Sequence, residues 1–181
     1  MIRNLLIFIL ILTSQIAISQ RFKSSQSSVM FYSDAPMEDI KAVNESATSL
    51  IDLGKKAIVI VVPIKSFEFQ KKLMQEHFNE NYLESDKYPN ATFKGKIIDW
   101  SGNEGVSEAS AQGTLEIHGV SQDVSLSGEI NFQNNKLNIS TTFTIRLEDY
   151  DIKIPKALFY NIAEEVEVTA KFEYKPYEKN N

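Results

Sequence analysis

Cysteine is absent from the 181-residue sequence. That excludes disulfides, thiolate metal sites, a cysteine nucleophile and a lipid-modified N-terminal cysteine. Core packing and backbone ladders must therefore hold the fold. Histidine is scarce, with two residues, and tryptophan occurs once. An excess of basic charge is also missing, since 19 Lys and Arg stand against 24 Asp and Glu, for a net charge of −5. This balance lacks the basic footprint that phosphate-backbone binding needs, so nucleic acid is not expected as a partner. No apolar run reaches the roughly 20 residues that span a bilayer, so no stable membrane anchor is expected.

The longest apolar run, Leu5–Leu12, follows Arg3 and precedes Ala17-Ile18-Ser19. A charged start, a short apolar segment and small residues three and one before a cut follow the plan of a cleavable secretion signal. Residues 1–19 are thus expected to be removed and the protein exported, to the periplasm or beyond the cell. Residues 20–28 are rich in Ser and Gln and are expected to form an exposed leader. One domain is expected over 29–176, with a polar tail at 177–181.

Period-two alternation dominates the rest, as in half-buried strands. It is clearest over Gln122–Gln133, Lys136–Leu147 and Glu164–Tyr174. Asn134-Asn135 suits a tight hairpin, because Asn tolerates positive φ. Shorter strands are expected at Val29–Ser33, Ser46–Asp52, Ala57–Ile64, Ala91–Trp100 and Ser107–Ile117. The Ala57–Ile64 segment carries the continuous run IVIVV and is a candidate for burial on both faces. One amphipathic helix is expected from Ser66, with Leu73, Met74, His77 and Phe78 on one stripe. About eight strands with one wet and one apolar face must close or stack. The fold class is therefore all-β, an eight-stranded antiparallel barrel with one amphipathic helix as lid. A two-sheet sandwich satisfies the same pattern.

Three segments resemble the YceI-like family of exported lipid-binding proteins. They are Leu73–Ile97, with Tyr88-Pro89 and Ala91-Thr92-Phe93; Gly113–Leu126, with its Gly-x-Leu-x-x-x-Gly-Val pattern; and Glu148–Ile152. The N-terminal third is shorter than in the family, and Ser27–Phe31 matches its first strand only loosely. The resemblance implies a lipocalin-like barrel with a long apolar cavity, and a polyisoprenoid or isoprenoid-quinone ligand.

No residue pattern indicates catalysis or a metal site. His77 has only Glu76 and Glu80 nearby, on a neighbouring helix face, and His118 stands at a turn. No catalytic residue and no cofactor is expected. The Asn-x-Ser/Thr triplets at Asn44, Asn90 and Asn138 would matter only in a glycosylating host. The candidate ligand site is the apolar inner face. It comprises Phe67, Phe69, Leu73, Met74 and Phe78 on the lid, with Leu115, Ile117, Leu126, Ile130, Phe143, Ile145 and Phe172 on the strands. Trp100 is a further candidate for the barrel mouth. Apolarity alone fits two functions. One is a hollow barrel holding an isoprenoid lipid or quinone-like amphiphile, for transport or sequestration. The other is a filled barrel serving as a cell-envelope protein-interaction module. A homodimer is compatible with either.

Overall fold

Each long stretch of alternation is a strand in the computed structural model, which describes residues 21–34, 39–100, 102–154 and 163–177. The expected secretion signal lies outside the described residues. The strands are β1 (Arg21–Ser33), β2 (Ile40–Asn44), β3 (Thr48–Asp52), β4 (Ala57–Pro63), β5 (Glu68–Phe69), β6 (Asn90–Ile97), β7 (Gly105–Ile117), β8 (Val120–Gln133), β9 (Lys136–Arg146) and β10 (Glu165–Pro176). The order β10-β9-β8-β7-β6-β4-β3-β1 closes on itself, because β1 also pairs with β10. These eight antiparallel strands form the expected barrel. Closure leaves the ring no free edge. Strands β2 and β5 stand outside the ring as a short flap on the C-terminal half of β1.

Residues 21–28 correct the expectation of an exposed leader. They are the first half of β1, paired with β10 from Phe22↔Pro176 onward and with β3 at Arg21↔Asp52. The register shifts between Ser24 and Gln26, where Ser25 is an extra residue. Such a bulge moves the inward side chains from even to odd positions. Phe22 and Ser24 face in before it; Ser27, Val29 and Phe31 face in after it. The Arg21 guanidinium sits 3.2 Å from the Asp52 carboxylate. Burial raises the Asp52 pKa, but the Lys55 N–H and Arg21 outweigh it and hold the group below its ordinary value. Just past β10 the Tyr177 N–H donates to the Arg21 carbonyl at 2.7 Å. The ladder therefore reaches the first residue of the expected tail, and 178–181 lie outside the described residues.

The helix is shorter than expected. Ile64–Ser66 is a 3₁₀ turn, and Glu68–Phe69 pairs with β2 as β5. Helix α1 runs over Lys72–His77 and widens into a π turn at Phe78–Tyr82, where the Leu83 N–H donates to the Phe78 carbonyl at 2.9 Å. Two other expectations shift. Val59 on the outer face of β4 is exposed, so β4 is not covered on both sides. Trp100 is buried at the packed end, edge-on to Phe132 at 5.9 Å.

That packed end contains Arg21 and Tyr177, at the ends of β1 and β10, and the β3–β4, β6–β7 and β8–β9 turns. The last is the expected Asn134-Asn135 hairpin, with φ of +50° and +61°. Phe22, Ile51, Leu137 and Tyr174 are almost wholly buried there, and Phe22 meets Phe132 edge-on at 6.1 Å. The Tyr174 hydroxyl donates to Ser49 Oγ at 2.8 Å, and Ser49 Oγ donates to the Val59 carbonyl at 3.0 Å. Midway along the barrel Gly95 faces Gly113. A Cβ on Gly113 would lie 2.2 Å from the Lys94 carbonyl oxygen, so β6 and β7 approach only because that side chain is missing.

Candidate functional site

The opposite half of the barrel is hollow. It holds a cavity of about 690 Å³, partly open to solvent, within the ~300–1,000 Å³ typical of ligand sites. Inward residues of the strands form its wall, among them Val29, Ile60, Phe93, Leu115 and Val168. The π turn and α1 lie across its mouth and contribute Met74, Phe78 and Tyr82. Four phenylalanines close together there. Phe31 stacks on Phe78 at 5.4 Å with an interplanar angle of 19°, while Phe67 and Phe69 stand 5.6 and 5.0 Å from Phe78. These tilted and stacked pairs join the flap, the lid and β1.

Polar atoms on the wall are few and largely engaged. Thr141 Oγ1 donates to the Ser127 carbonyl at 2.7 Å, and Ser33 Oγ accepts from the Ala163 N–H at 3.1 Å. Lys71 and His77 border the cavity from the lid, and no carboxylate lines it among the described residues. Burial raises the Tyr82 pKa, so its phenol stays neutral. No cluster of His, Cys, Asp or Glu with metal-ligating geometry exists among the described residues.

The structure brings ten of the twelve candidate residues to this cavity: Phe67, Phe69, Leu73, Met74, Phe78, Leu115, Ile117, Leu126, Phe143 and Ile145. Ile130 and Phe172 do not reach it. Both lie on the right face of their strands but toward the packed end, 2% and 3% exposed. Alternation identifies a face and says nothing of depth along the barrel. The sequence reasoning missed Phe31, Ile60, Val62 and Val166. Ile60 and Val62 were signalled by the IVIVV run, and Val166 by the alternation of β10. Phe31 was signalled by the expected Val29–Ser33 strand, where it alternates with Val29 and Ser33.

His118 makes structural contacts, as its turn position suggested. Its Nδ1 lies 3.2 Å from the Tyr150 carbonyl and its Nε2 2.8 Å from Glu84 Oε2. Asn44 is fully buried, with Nδ2 donating to the Pro63 carbonyl at 2.7 Å, so the folded chain offers no acceptor for a glycan there.

Solved structures with the same fold share little sequence with this chain. A polyisoprenoid-binding domain from Saccharophagus degradans, implicated in plant cell wall breakdown, superposes with a TM-score of 0.75 at 14% identity, covering 86% of this chain and 98% of that one. BcnA of Burkholderia cenocepacia gives 0.70 at 17%, covering 81% and 95%. The Campylobacter jejuni YCEI protein gives 0.59 at 21%, covering 74% and 81%. No curated protein sequence matches the chain. The family model described as YceI-like domain matches residues 17–174. The chain belongs to the YceI-like family.

Proposed function

We propose that this protein is an exported carrier or sequestering protein that holds an isoprenoid-type lipid, or a similar quinone-like amphiphile, with its tail in the barrel cavity. The observation that carries this reading is the 690 Å³ apolar cavity beneath the aromatic lid. Its wall is almost wholly apolar, so a hydrocarbon tail that displaces water from it buries apolar surface on both partners. Each buried five-carbon isoprene unit would contribute about 4 kcal/mol at ~0.8 kcal/mol per methylene. Two or three units reach micromolar affinity after several kcal/mol of association cost. The polar groups at the lid, Lys71 and His77, suit the headgroup end. The similar domain from Saccharophagus degradans is a polyisoprenoid-binding domain, which supports this choice. Export rests on the form of residues 1–19.

The filled-barrel alternative accounts for only one end of the molecule. Native mass spectrometry of protein purified from its own host is the test, joined to uptake of a fluorescent prenyl lipid. The expected result is a bound lipid mass and saturable uptake. A ligand-free mass with no uptake would sink the proposal.

A further inference from the structure

Two loops of the mouth meet at one side chain. His118 occupies the two-residue turn between β7 and β8, at φ +53°. On one side lies the loop that trails the lid, with Glu84 two residues beyond Tyr82. On the other lies the 3₁₀ turn Leu147–Tyr150 that follows β9. Both loops carry cavity wall, since Tyr82, Leu83, Leu147 and Ile152 all line it. The His118 side chain is only 10% exposed, and its ring packs edge-on against Tyr88 at 4.6 Å. Gly119 beside it is required, because a Cβ there would meet the Tyr88 ring at 2.5 Å.

Both ring nitrogens face acceptors. The Tyr150 carbonyl can only accept, so Nδ1 must carry a proton to bond it. The Glu84 carboxylate likewise needs a proton on Nε2. A neutral imidazole has one N–H and satisfies one partner; imidazolium satisfies both. Glu84 itself sits at φ +42°, an uncommon conformation for a non-glycine residue, which its bond to His118 helps to hold.

We infer that His118 is a proton-dependent latch: protonated, it ties the trailing loop of the lid and the turn after β9 to the β7–β8 turn, and on losing its proton it releases one of them. The other titratable groups on these elements do not remove the requirement. Lys87 lies over the Tyr88 ring at 4.7 Å, and its charged form is favoured first by its hydrogen bond to Tyr88 and then by the Tyr88 and Glu84 charges. Asp149 and Glu148 act on Arg146, and Asp151 pairs with Lys153. On β7 and β8, Asp123 accepts from Thr114 Oγ1, and Glu116 is the remaining acid of β7 near the turn. The consequence for lipid release rests on the carrier reading above; the latch itself does not.

The test is amide hydrogen exchange on ligand-free protein between about pH 5 and pH 8, the range in which histidine changes charge. After correction for intrinsic exchange, protection of residues 78–88 or 147–152 should fall about three- to tenfold as pH rises. His118→Asn should remove that dependence, and Asn tolerates the left-handed backbone, so the turn should persist. Glu84→Gln, which keeps an acceptor without charge, should weaken it and leaves the turn untouched. Flat protection in the parent protein, or the same pH dependence in His118→Asn, would overturn the latch. Release of a preloaded fluorescent prenyl lipid should quicken over the same range. A release rate that stays flat while protection moves would overturn the link to the mouth. Absence of any lipid uptake would count against the carrier reading alone.

Discussion

Phe22 and Phe31 lie on one strand and point to the same interior, yet they meet different surroundings. Phe22 is fully buried against Phe132 in the packed end. Phe31 stands at the cavity, with the rings of Phe67, Phe69 and Phe78 around it. The same residue type supplies cohesion at one end and a ligand-sized space at the other. The division follows from chain layout. The packed end gathers the start of β1, the end of β10 and the turns between paired strands, where each strand is locked to its neighbours by the ladder. The hollow end gathers the long excursions, β2, β5, α1 and the turn after β9, which wall off space without filling it. Stability can then reside in one half while the other half changes its contents.

The sharpest test of this division is truncation. A chain begun at Val29 would lose Phe22, the Arg21–Asp52 pair and the ladder that joins β1 to β3. It should show no cooperative unfolding in urea, whereas a true leader would be dispensable. Within the intact chain, Phe22→Ala should cost about 3–5 kcal/mol in urea unfolding, the usual range for a buried aromatic. Phe31→Ala should cost less than about 3 kcal/mol, because one side of its ring already faces open volume. Equal costs would mean that the cavity is closed over in solution.

The barrel was legible because β8, β9 and β10 keep strict alternation, and the strands of the ring were placed to within a few residues except β1. The first half of that strand, before Val29, was hidden for a physical reason. The bulge at Ser25 breaks the period, and Ser24, Ser25, Ser27 and Ser28 carry no apolar signal. Inward serines are tolerated there because bulkier neighbours such as Phe172 and Tyr174 fill the space across from them. The lid was located but began too early, since Phe67-Glu68-Phe69 alternates as a strand and pairs with β2 before α1 starts. Ten of the twelve candidate residues reached the cavity because they share one face. Ile130 and Phe172 share it too, and only their position along the axis separates them from the site. That coordinate comes from closure and register, which no single strand's pattern contains.

A second matched pair sharpens the same contrast by filling instead of emptying. Leu126 and Ile130 lie on β8, on one face, at the hollow and packed ends respectively. Ile130→Trp should cost about 1–3 kcal/mol through overpacking. Leu126→Trp should leave urea stability within about 1 kcal/mol, since it has room. It should weaken prenyl-lipid binding by about tenfold, roughly 1.4 kcal/mol. If Leu126→Trp binds lipid as the parent does, the tail does not occupy this part of the cavity.

The smallest expected effect is at the two tyrosines. Burial pushes the Tyr174 phenol well above its ordinary value, despite the bond to Ser49, which favours ionisation. Burial also raises Tyr82 at the cavity. Tyr174→Phe should cost about 0.5–1.5 kcal/mol near neutral pH, the net worth of one hydrogen bond. The cost is modest because Ser49 Oγ keeps its bond to the Val59 carbonyl. Tyr82→Phe should be close to neutral. In alkali the sign follows from proton binding. The unfolded phenol ionises first, near pH ~10, while the folded one keeps its proton. Stability is therefore complete below that value and falls above it, by at most about 1.4 kcal/mol per pH unit for one group. Tyr174→Phe should flatten this decline, leaving the weaker contributions of Tyr82 and Tyr150, whose values burial also raises. Urea unfolding followed from pH 8 to 11 measures the slope. An unchanged slope in Tyr174→Phe would mean that water reaches the packed end, and the contrast between the two halves would then be one of degree.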